Sequence, residues 1–226
     1  PVALAYYEGG GGHKFEMNFT AAAENPDHGY QIKCHFPHEI DVDGKLGEPA
    51  WQQAEWQTPT IYFGPKPNFA NDFSYRFASV ANRTHLYFAF DVVDNVVINE
   101  GEVEKWWFYD SVVIHLDMNL SMGAQYDEDD LFLGILAPVG ESGSPTLRGK
   151  NIDDLAPLIS ASSQRTDSGY TVEVAIPLKT SRYVVAVAEG EAIGLQTGVS
   201  DMDQRGSGAY RQNKAIWSAI DVTDFS

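Results

Sequence analysis

Cationic residues are scarce in this chain, which has 15 Lys and Arg against 32 Asp and Glu and a formal net charge of -17 over 226 residues. Nucleic-acid binding depends on clustered cations that replace the counterions of the phosphates. Because no run of Lys or Arg occurs, we predict no nucleic-acid partner. An acidic surface of this kind is typical of a soluble secreted protein in a salty or calcium-rich medium.

Cysteines, long apolar runs and catalytic motifs are also scarce or missing. The single cysteine, Cys34, cannot form an intramolecular disulfide, and no haem-attachment or zinc spacing surrounds it. No stretch of about 18 apolar residues occurs, so no membrane-spanning helix is predicted. The six histidines are scattered, and neither GxSxG nor HExxH is present. We therefore predict that the chain is not an enzyme.

Helical periodicity is nearly absent, whereas alternation of apolar and polar residues recurs along the chain. It is clearest at residues 73–80, 84–94, 110–117 and 169–178, and such alternation is typical of half-buried strands. The first two segments flank residues 81–83 and predict a hairpin. Many short strands separated by turn residues favour an all-β fold, an antiparallel β-sandwich of the jelly-roll type.

The first 30 residues differ from the rest. They contain four glycines at 9–12 and show no sustained period, so we interpret residues 1–30 as an N-terminal arm or linker and residues 31–226 as the β-sandwich domain. Such an arm could bind other copies or neighbouring domains by adding a strand to their sheets.

Six segments follow one another in a characteristic order and spacing. They are DGKLGEPAW (43–51), THLYFAFDVVD (84–94), WFYDSVVIHLD (107–117), YDEDD (126–130), GYTVEVAIPL (169–178) and GLQTGVSDMD (194–203). Together they resemble the family 9 carbohydrate-binding modules and their DOMON-like relatives over about residues 31–220. The resemblance implies a non-catalytic, extracellular, periplasmic or cell-surface sandwich that holds a sugar terminus between two tryptophans and carries structural calcium.

The resemblance also implies a set of ligand-binding residues. Sugars present C–H groups that pack on aromatic faces, each contact contributing about 0.5–1.5 kcal/mol beyond area burial by analogy with aromatic pairs. Trp107 lies where the family has its first stacking tryptophan, and Trp217 is the candidate for the second. Sugar hydroxyls also need polar partners. The predicted ligand-binding residues are Trp107, Tyr109, Asp110, Trp217, Arg211, Gln212 and Asn213.

Two departures from the family pattern leave a first alternative open. Val113 stands where family members usually have a glutamate, and residues 131–134 lack the Gln or Arg often found there. The aromatic residues are thus retained while hydrogen-bonding side chains are lost. A structural or assembly module that keeps the fold without the sugar site is consistent with this combination.

A second alternative follows from the DOMON-like relatives. They include haem b-binding subunits resembling the γ subunit of ethylbenzene dehydrogenase, in which a methionine and a lysine ligate the iron. Met122 and Lys214 occupy similar places in this sequence, and both side chains are sound axial ligands. The alternative function is a haem b-binding electron-transfer domain.

The loop at residues 117–128 is rich in oxygen-bearing side chains, which Ca²⁺ prefers. Its sixth position is Met122 instead of glycine, and strands flank it, so an EF-hand is excluded. The predicted calcium ligands are Asp117, Asn119, Asp127, Asp129 and Asp130. A solvated acidic loop without a cation is the other interpretation of this segment.

Overall fold

The computed structural model of the chain describes residues 2–5, 14–17, 31–32, 40–59, 61–64, 71–99, 103–121, 125–138, 140–186, 191–203 and 213–217. The regular secondary structure of these residues consists almost entirely of strands, with one short α-helix, α1 (Pro49–Gln53), and two 3₁₀ helices, Val103–Phe108 and Ala156–Leu158. The strands are β1 (Val2–Ala5), β2 (Lys14–Met17), β3 (Gln31–Ile32), β4 (Ile61–Phe63), β5 (Phe73–Ala81), β6 (His85–Asp94), β7 (Ser111–Asp117), β8 (Asp130–Leu136), β9 (Ser142–Gly143), β10 (Leu147–Lys150), β11 (Ser160–Thr166), β12 (Gly169–Pro177), β13 (Glu191–Asp201) and β14 (Asn213–Ile216).

The strands form two sheets, which confirms the predicted β-sandwich. The large sheet has nine strands in the order β10-β8-β7-β13-β2-β1-β3, with β14 on β13 and β4 on β14. The small sheet has five strands in the order β5-β6-β12-β11-β9. Among the described residues, no helix has the length and apolarity needed to cross a membrane.

The predicted hairpin is formed by β5 and β6, which pair antiparallel from Phe73 opposite Asp94 to Ala81 opposite Leu86. Its turn is closed by Asn82, whose Oδ1 accepts hydrogen bonds from the backbone N–H groups of Thr84 and His85, both at 2.8 Å. Asn favours turns because its side chain can replace a backbone acceptor in this way. The hairpin therefore follows from local sequence.

The core lies between the two sheets and is aromatic. Phe77 and Phe90 are neighbours in the small sheet with ring centroids 5.8 Å apart. Trp217 of the large sheet packs edge-on against Phe77 at 5.2 Å, a geometry that aromatic pairs prefer. The Tyr75 hydroxyl, also in the small sheet, bonds the carbonyl of Thr197 in β13 at 3.2 Å. Rings and one hydroxyl thus join the two layers.

The outer face of the small sheet is covered by residues 40–57, and Glu173 of β12 fixes this cover. Its carboxylate accepts hydrogen bonds from Trp51 Nε1 at 2.6 Å and from the backbone N–H groups of Gly44 at 2.7 Å and Asp43 at 3.0 Å. Gly44 has a φ of +86°, and a Cβ there would lie 3.0 Å from the carbonyl carbon of Ser163. The segment DGKLGEPAW is thereby explained as a turn and helix that dock on Glu173.

Two strands of residues 1–30, the segment interpreted as an arm or linker, pair with the molecule's own large sheet. β2 runs antiparallel to the first residues of β13, with Phe15 opposite Ile193, and β1 meets β13 at Gly194. The division of the chain at residue 30 stays a prediction. In the described residues, strand addition by this segment takes place within the same chain.

The chain between residues 140 and 168 contributes β9, β10 and β11. β11 pairs with β12 along its whole length, from Ser160 opposite Ala175 to Thr166 opposite Gly169. Its sequence, SASSQRT, lacks the apolar alternation that marks a strand. The pairing comes from tertiary contact with β12 and leaves no signal in local composition.

Candidate functional site

The outer face of the large sheet is the candidate site, and strand register determines which side chains reach it. In β7, Val112, Ile114 and Leu116 point into the core, so Val113 and His115 point outward. The outward row at Val113 contains Gly134 and Gly198, and the row at His115 contains Phe132 and Gln196. Lys214 lies opposite Ser200, and Ser200 lies opposite Ser111, so Lys214 shares this face.

A glycine in β8 makes room for the first ring on this face. A Cβ built on Gly134 would lie 2.1 Å from two atoms of the Trp106 ring, so the indole rests directly on the backbone of the strand. Trp106 is buried and also contacts Phe132, with ring centroids 5.4 Å apart. Residues 131–134 lack the Gln or Arg often found in the family, and the glycine among them leaves room for the Trp106 ring. The result is an aromatic floor on the outer face of the sheet.

Trp107 extends this floor toward solvent. Its ring meets Trp106 edge-on at 5.9 Å, with an interplanar angle of 85°, and Phe108 at 5.7 Å. Although it packs against these rings, Trp107 is 37% exposed. The adjacent tryptophans therefore have different roles. Trp106 anchors the 3₁₀ helix Val103–Phe108 on the sheet, and Trp107 presents its indole to solvent.

At the other end, a histidine and two aromatic residues continue the surface. The His115 and Phe132 rings stack at 4.5 Å with an interplanar angle of 6°. His115 Nδ1 is hydrogen-bonded to the Tyr126 hydroxyl at 2.6 Å, and Tyr126 is 38% exposed. The Lys150 Nζ lies over the Tyr126 ring, 4.8 Å from its centroid. We call this series of rings the aromatic strip, which consists of Trp107, Trp106, Phe132, His115 and Tyr126.

The electrostatics of the strip keep its histidine uncharged. Burial, with a smaller contribution from the positive charge of Lys214, lowers the pKa of His115 to about 3. The imidazole is therefore neutral at physiological pH, and it behaves as a flat aromatic ring with one hydrogen bond to Tyr126.

Two predicted ligand residues, Trp217 and Asn213, point away from the strip, and the prediction for them is wrong. Both alternate with Lys214 along β14 and its extension, so they face the core. Trp217 is only 2% exposed and packs against Phe77. The side chain of Asn213 donates to Asp201 Oδ2 at 2.8 Å inside the sandwich. Neither side chain can stack on or bond to a ligand on the outer face.

Asp110, predicted as a polar partner of the ligand, is fully buried. Its carboxylate accepts hydrogen bonds from the backbone N–H groups of Ile98 and Met202, the latter at 2.8 Å. This part of the prediction is also wrong, because the carboxylate is directed into the protein. Tyr109 is half-buried, and its backbone N–H bonds Trp106 O at 3.1 Å, in the turn that follows the 3₁₀ helix.

Three other predicted residues, Arg211, Gln212 and Met122, lie outside the described residues. Lys214, the second predicted haem ligand, is buried on the outer face of the sheet, where its charge acts on His115. Haem ligation by Met122 and Lys214 therefore stays a prediction.

The predicted calcium loop brings three of its five residues together. Asp117, Asp129 and Asp130 are buried, and one oxygen of each lies within 4.8 Å of the others. Asn119 bonds this group through its side-chain nitrogen, which donates to Asp129 Oδ1 at 2.6 Å. Asp127 is exposed, and its Oδ2 accepts from Ser121 Oγ at 3.2 Å. The residue types suit a hard cation.

The charges within this loop are incompletely balanced. Burial and the neighbouring carboxylate of Asp127 raise the pKa of Asp129 to about 6, and burial raises the pKa of Asp130. By contrast, hydrogen bonds, chiefly from the backbone N–H of Asp129, lower the pKa of Asp127. A divalent cation among Asp117, Asp129 and Asp130 would stabilise their ionised forms.

Comparison with known proteins identifies the family. Residues 42–226, more than half of the chain, match the family described as Carbohydrate family 9 binding domain-like. The chain belongs to this family. Family 9 domains are non-catalytic carbohydrate-binding modules, which confirms the prediction that the chain is not an enzyme.

Solved structures of family 9 modules share the fold. A module from Caldicellulosiruptor kristjanssonii in complex with cellotriose aligns with a TM-score of 0.65 and 20% identity, over 84% of this chain and 85% of that chain. The same organism's module in complex with glucose aligns with a TM-score of 0.63 and 20% identity, over 84% and 86% of the two chains. No curated protein matches the sequence.

The sequence prediction missed most of the aromatic strip. Trp106, Phe132, His115 and Tyr126 were not among the predicted ligand residues. Lys150, which lies over the Tyr126 ring, was not predicted either. Strict alternation in β7 does place His115 on the face opposite the core, and a glycine within β8 signals close approach of another group. These two signals could have indicated the face, although not the packing of Trp106 upon it.

Proposed function

We propose that this chain binds carbohydrate on the outer face of its large sheet, without catalysis, and that a sugar ring stacks on the exposed indole of Trp107. The observation that carries the proposal is the aromatic strip, which joins Trp107 to the exposed ring of Tyr126 across the sheet. Family membership and the two similar modules in complex with cellotriose and glucose support this assignment.

The strip offers stacking surfaces at two separate points. Trp107 and Tyr126 are each more than one-third exposed, whereas the rings between them are wholly or partly buried and hold the strip in place. Two exposed rings suit an oligosaccharide better than a single sugar, since consecutive sugar rings can each pack on one aromatic face. We therefore expect a cello-oligosaccharide of several residues to bind more tightly than glucose.

Polar groups for the sugar hydroxyls come from cations at the edge of the strip. Lys150 is exposed beside Tyr126, and Arg148 projects from the same edge strand on the row of Gly134. A hydroxyl that is desolvated without a partner costs about 1–3 kcal/mol. Lys150 and Arg148 would thus supply the polar contacts for a sugar that is bound next to Val113, where family members usually have a glutamate.

Binding of calcium by the loop at Asp117, Asp129 and Asp130 is part of the proposal. Tyr126 lies within this loop, so an ion there would order one end of the strip. An extracellular, periplasmic or cell-surface location is also proposed. The acidic composition supports it, and detection of the chain in the secreted or surface fraction of its native cells is the test.

Titration calorimetry of the purified protein with glucose, cellotriose and longer cello-oligosaccharides tests the sugar site. Trp107→Ala should weaken the affinity at least about tenfold, because both stacking and apolar burial are lost. Trp56→Ala is the matched control, since Trp56 is half-buried under Arg76 on the other sheet and should leave binding unchanged.

Equal binding by the wild type and Trp107→Ala would contradict the proposed stacking. Failure of the wild type to bind any glycan would favour the structural or assembly module. An absorption spectrum of the same sample examines the remaining alternative, because a Soret band would indicate bound haem.

A further inference from the structure

Two cations lie side by side at the edge of the aromatic strip. Arg148 and Lys150 belong to β10, at one edge of the large sheet, and lie opposite Gly134 and Phe132 of β8. Both therefore project from the outer face, and they are about 7 Å apart along the strand. Because neighbouring strands are about 4.8 Å apart, Arg148 flanks the part of β8 on which Trp106 rests.

Within the part of the chain that the structure describes, no carboxylate forms an ion pair with Arg148 or Lys150. Arg148 donates from Nη1 to the carbonyl of Leu147 at 3.0 Å, and its Nε is buried without a described hydrogen-bond partner. Lys150 lies over the Tyr126 ring. Three other cations do pair with aspartates, at 2.6, 2.8 and 3.2 Å, namely Lys45, Arg76 and Arg182. Since Asp and Glu outnumber Lys and Arg by 32 to 15, two adjacent cations without an acidic partner need another explanation.

The buried Nε of Arg148 indicates the kind of group that is missing. Buried polar atoms in folded proteins are nearly always hydrogen-bonded. A guanidinium presents its N–H donors in one plane, and two of them can bond the two oxygens of an oxyanion in parallel. A single sugar hydroxyl cannot match this arrangement. An acidic group of a ligand would therefore be the better partner for Arg148.

The sheet next to Arg148 carries no opposing charge. The outward row that begins at Arg148 continues with Gly134 and Val113. A glutamate at position 113, where family members usually have one, would lie about two strand spacings from Arg148 and would repel an anionic ligand. Lys214 shares this face, and its positive charge acts on His115. This part of the outer face therefore favours negative charge in a ligand.

The other end of the strip is acidic. Asp130 is the next outward residue of β8 beyond Phe132. Burial raises the pKa of Asp130, and the charge of Lys150 partly opposes this rise. Lys150 is thus partly engaged by the acidic loop, whereas Arg148 is not. An anionic group of a ligand should accordingly bind at the end of the strip formed by Trp106 and Trp107.

We propose that the aromatic strip binds an anionic oligosaccharide, with a sugar ring stacked on Trp107 and an acidic group of the glycan held by Arg148. Lys150 is a second and weaker cation for the same ligand. The inference rests on the proposed function and narrows the ligand to glycans with uronic acid carboxylates or sulfate esters. The net charge of -17 disfavours anions at long range. Salt screens charges beyond about 10 Å at about 0.1 M ionic strength, so the adjacent cations determine binding.

Titration calorimetry of the full chain with a matched set of tetrasaccharides tests the proposal. The set contains cellotetraose, β-1,4-linked tetraglucuronate, which has a carboxylate in place of each hydroxymethyl group, and cellotetraose sulfated on the same hydroxymethyl groups. The wild type should bind at least one anionic ligand about tenfold or more tightly than cellotetraose, as expected for hydrogen bonds to a charged group. High salt should reduce this preference. Comparison of the two anionic ligands identifies the acidic group.

Arg148→Gln keeps a hydrogen-bond donor and removes the charge. It should abolish the preference for the anionic ligands while the affinity for cellotetraose stays close to that of the wild type, which also shows that the variant is folded. Arg148→Lys should retain part of the preference, and Lys150→Gln should reduce it less than Arg148→Gln. Arg76→Gln, on the other sheet, is the control and should change neither affinity.

Binding of cellotetraose at least as tightly as both anionic ligands would overturn this inference alone and leave the proposed function intact. A preference for anionic ligands that persists in Arg148→Gln would overturn it as well, because another group would then hold the charge. So would an equal loss of affinity for all three ligands in that variant, which would assign Arg148 to the neutral sugar. If the wild type binds none of the three, the inference fails together with the proposed function.

Discussion

Both outer faces of the sandwich carry tryptophans. The outer face of the small sheet is covered by the protein's own chain, and we call it the closed face. The outer face of the large sheet leaves one tryptophan exposed, and we call it the open face. On the small sheet, Trp51 belongs to the segment that covers the outer face, and its indole N–H is bonded to the buried carboxylate of Glu173. On the large sheet, Trp106 is buried against Gly134, but the neighbouring Trp107 stays exposed. A tryptophan therefore has a structural role where its N–H and both ring faces are matched by the protein, and is available for binding where one face meets solvent.

Loss of Glu173 should release the segment that covers the closed face, and it should have the largest effect on stability. Glu173→Ala leaves the buried donors of Trp51, Gly44 and Asp43 without an acceptor, and we expect the free energy of unfolding to fall by about 3 kcal/mol. Urea denaturation measures this change. Glu173→Gln keeps one acceptor and should lose less, and sugar affinity below the melting temperature should be unaffected in both. A loss below about 1 kcal/mol for the alanine variant would contradict the role given to Glu173.

Gly134→Ala should disturb the packing of Trp106 on the open face. The added methyl group would overlap the Trp106 ring, so the indole must move, at a cost of about 2 kcal/mol in unfolding free energy. Tryptophan fluorescence should shift, and sugar affinity should fall with the displacement of Trp107. Gly47→Ala is the control on the opposite face, because a Cβ there meets nothing within 4 Å. Normal sugar binding by Gly134→Ala would show that the packing of Trp106 does not position Trp107.

A pH dependence should distinguish the histidine of the open face. The pKa of His115 is about 3 in the folded protein against an ordinary value of 6.5, so the unfolded chain binds the proton more strongly. Stability from this group is therefore present above pH 6.5 and is lost as the pH falls. Between pH 7 and 5.5 the loss should be about 1 kcal/mol.

The measurement is the difference in unfolding free energy between the wild type and His115→Gln at the two pH values, which removes the contributions of the carboxyl groups. An identical pH dependence in the two proteins would show that His115 is not held neutral by burial. Trp56→Ala, on the other sheet, should follow the wild type.

The smallest effect is expected at the surface of the closed face. Arg76 forms an ion pair with Asp91 at 2.8 Å and lies 4.6 Å from the Trp56 ring centroid, but it is exposed. Arg76→Ala should lower the unfolding free energy by less than about 1 kcal/mol. A larger loss, measured by urea denaturation, would mean that this face is closed by its charged rim as well as by Glu173.

Much of the fold could be predicted from the sequence because strand signals are local. The alternation of β7 and the turn at Asn82 depend on neighbouring residues alone. β11 escaped prediction because its polar sequence becomes a strand only beside β12. Local pattern thus accounts for the strands that have one apolar face, and tertiary pairing for those that do not.

The site was harder to predict than the fold, since it depends on which face each residue occupies. Trp107 follows from the family motif and is exposed. Trp217 was assigned to the same surface, although alternation along β14 places it on the face opposite Lys214. Arg148 could not be assigned to this surface in advance, because it reaches the outer face only through the pairing of β10 with β8.

The position of β13 has a consequence for biosynthesis. This strand, Glu191–Asp201, pairs with β7 and with the early strand β2, yet it leaves the ribosome later than both. The hairpin of β5 and β6 can form before β13 has been synthesised. β2 and β7 lack their shared partner strand until the chain has been made beyond residue 191. Pairing between segments this far apart in sequence is slow, so we expect the large sheet to be completed later than the hairpin of β5 and β6, with exposed strand edges that a chaperone could protect until then.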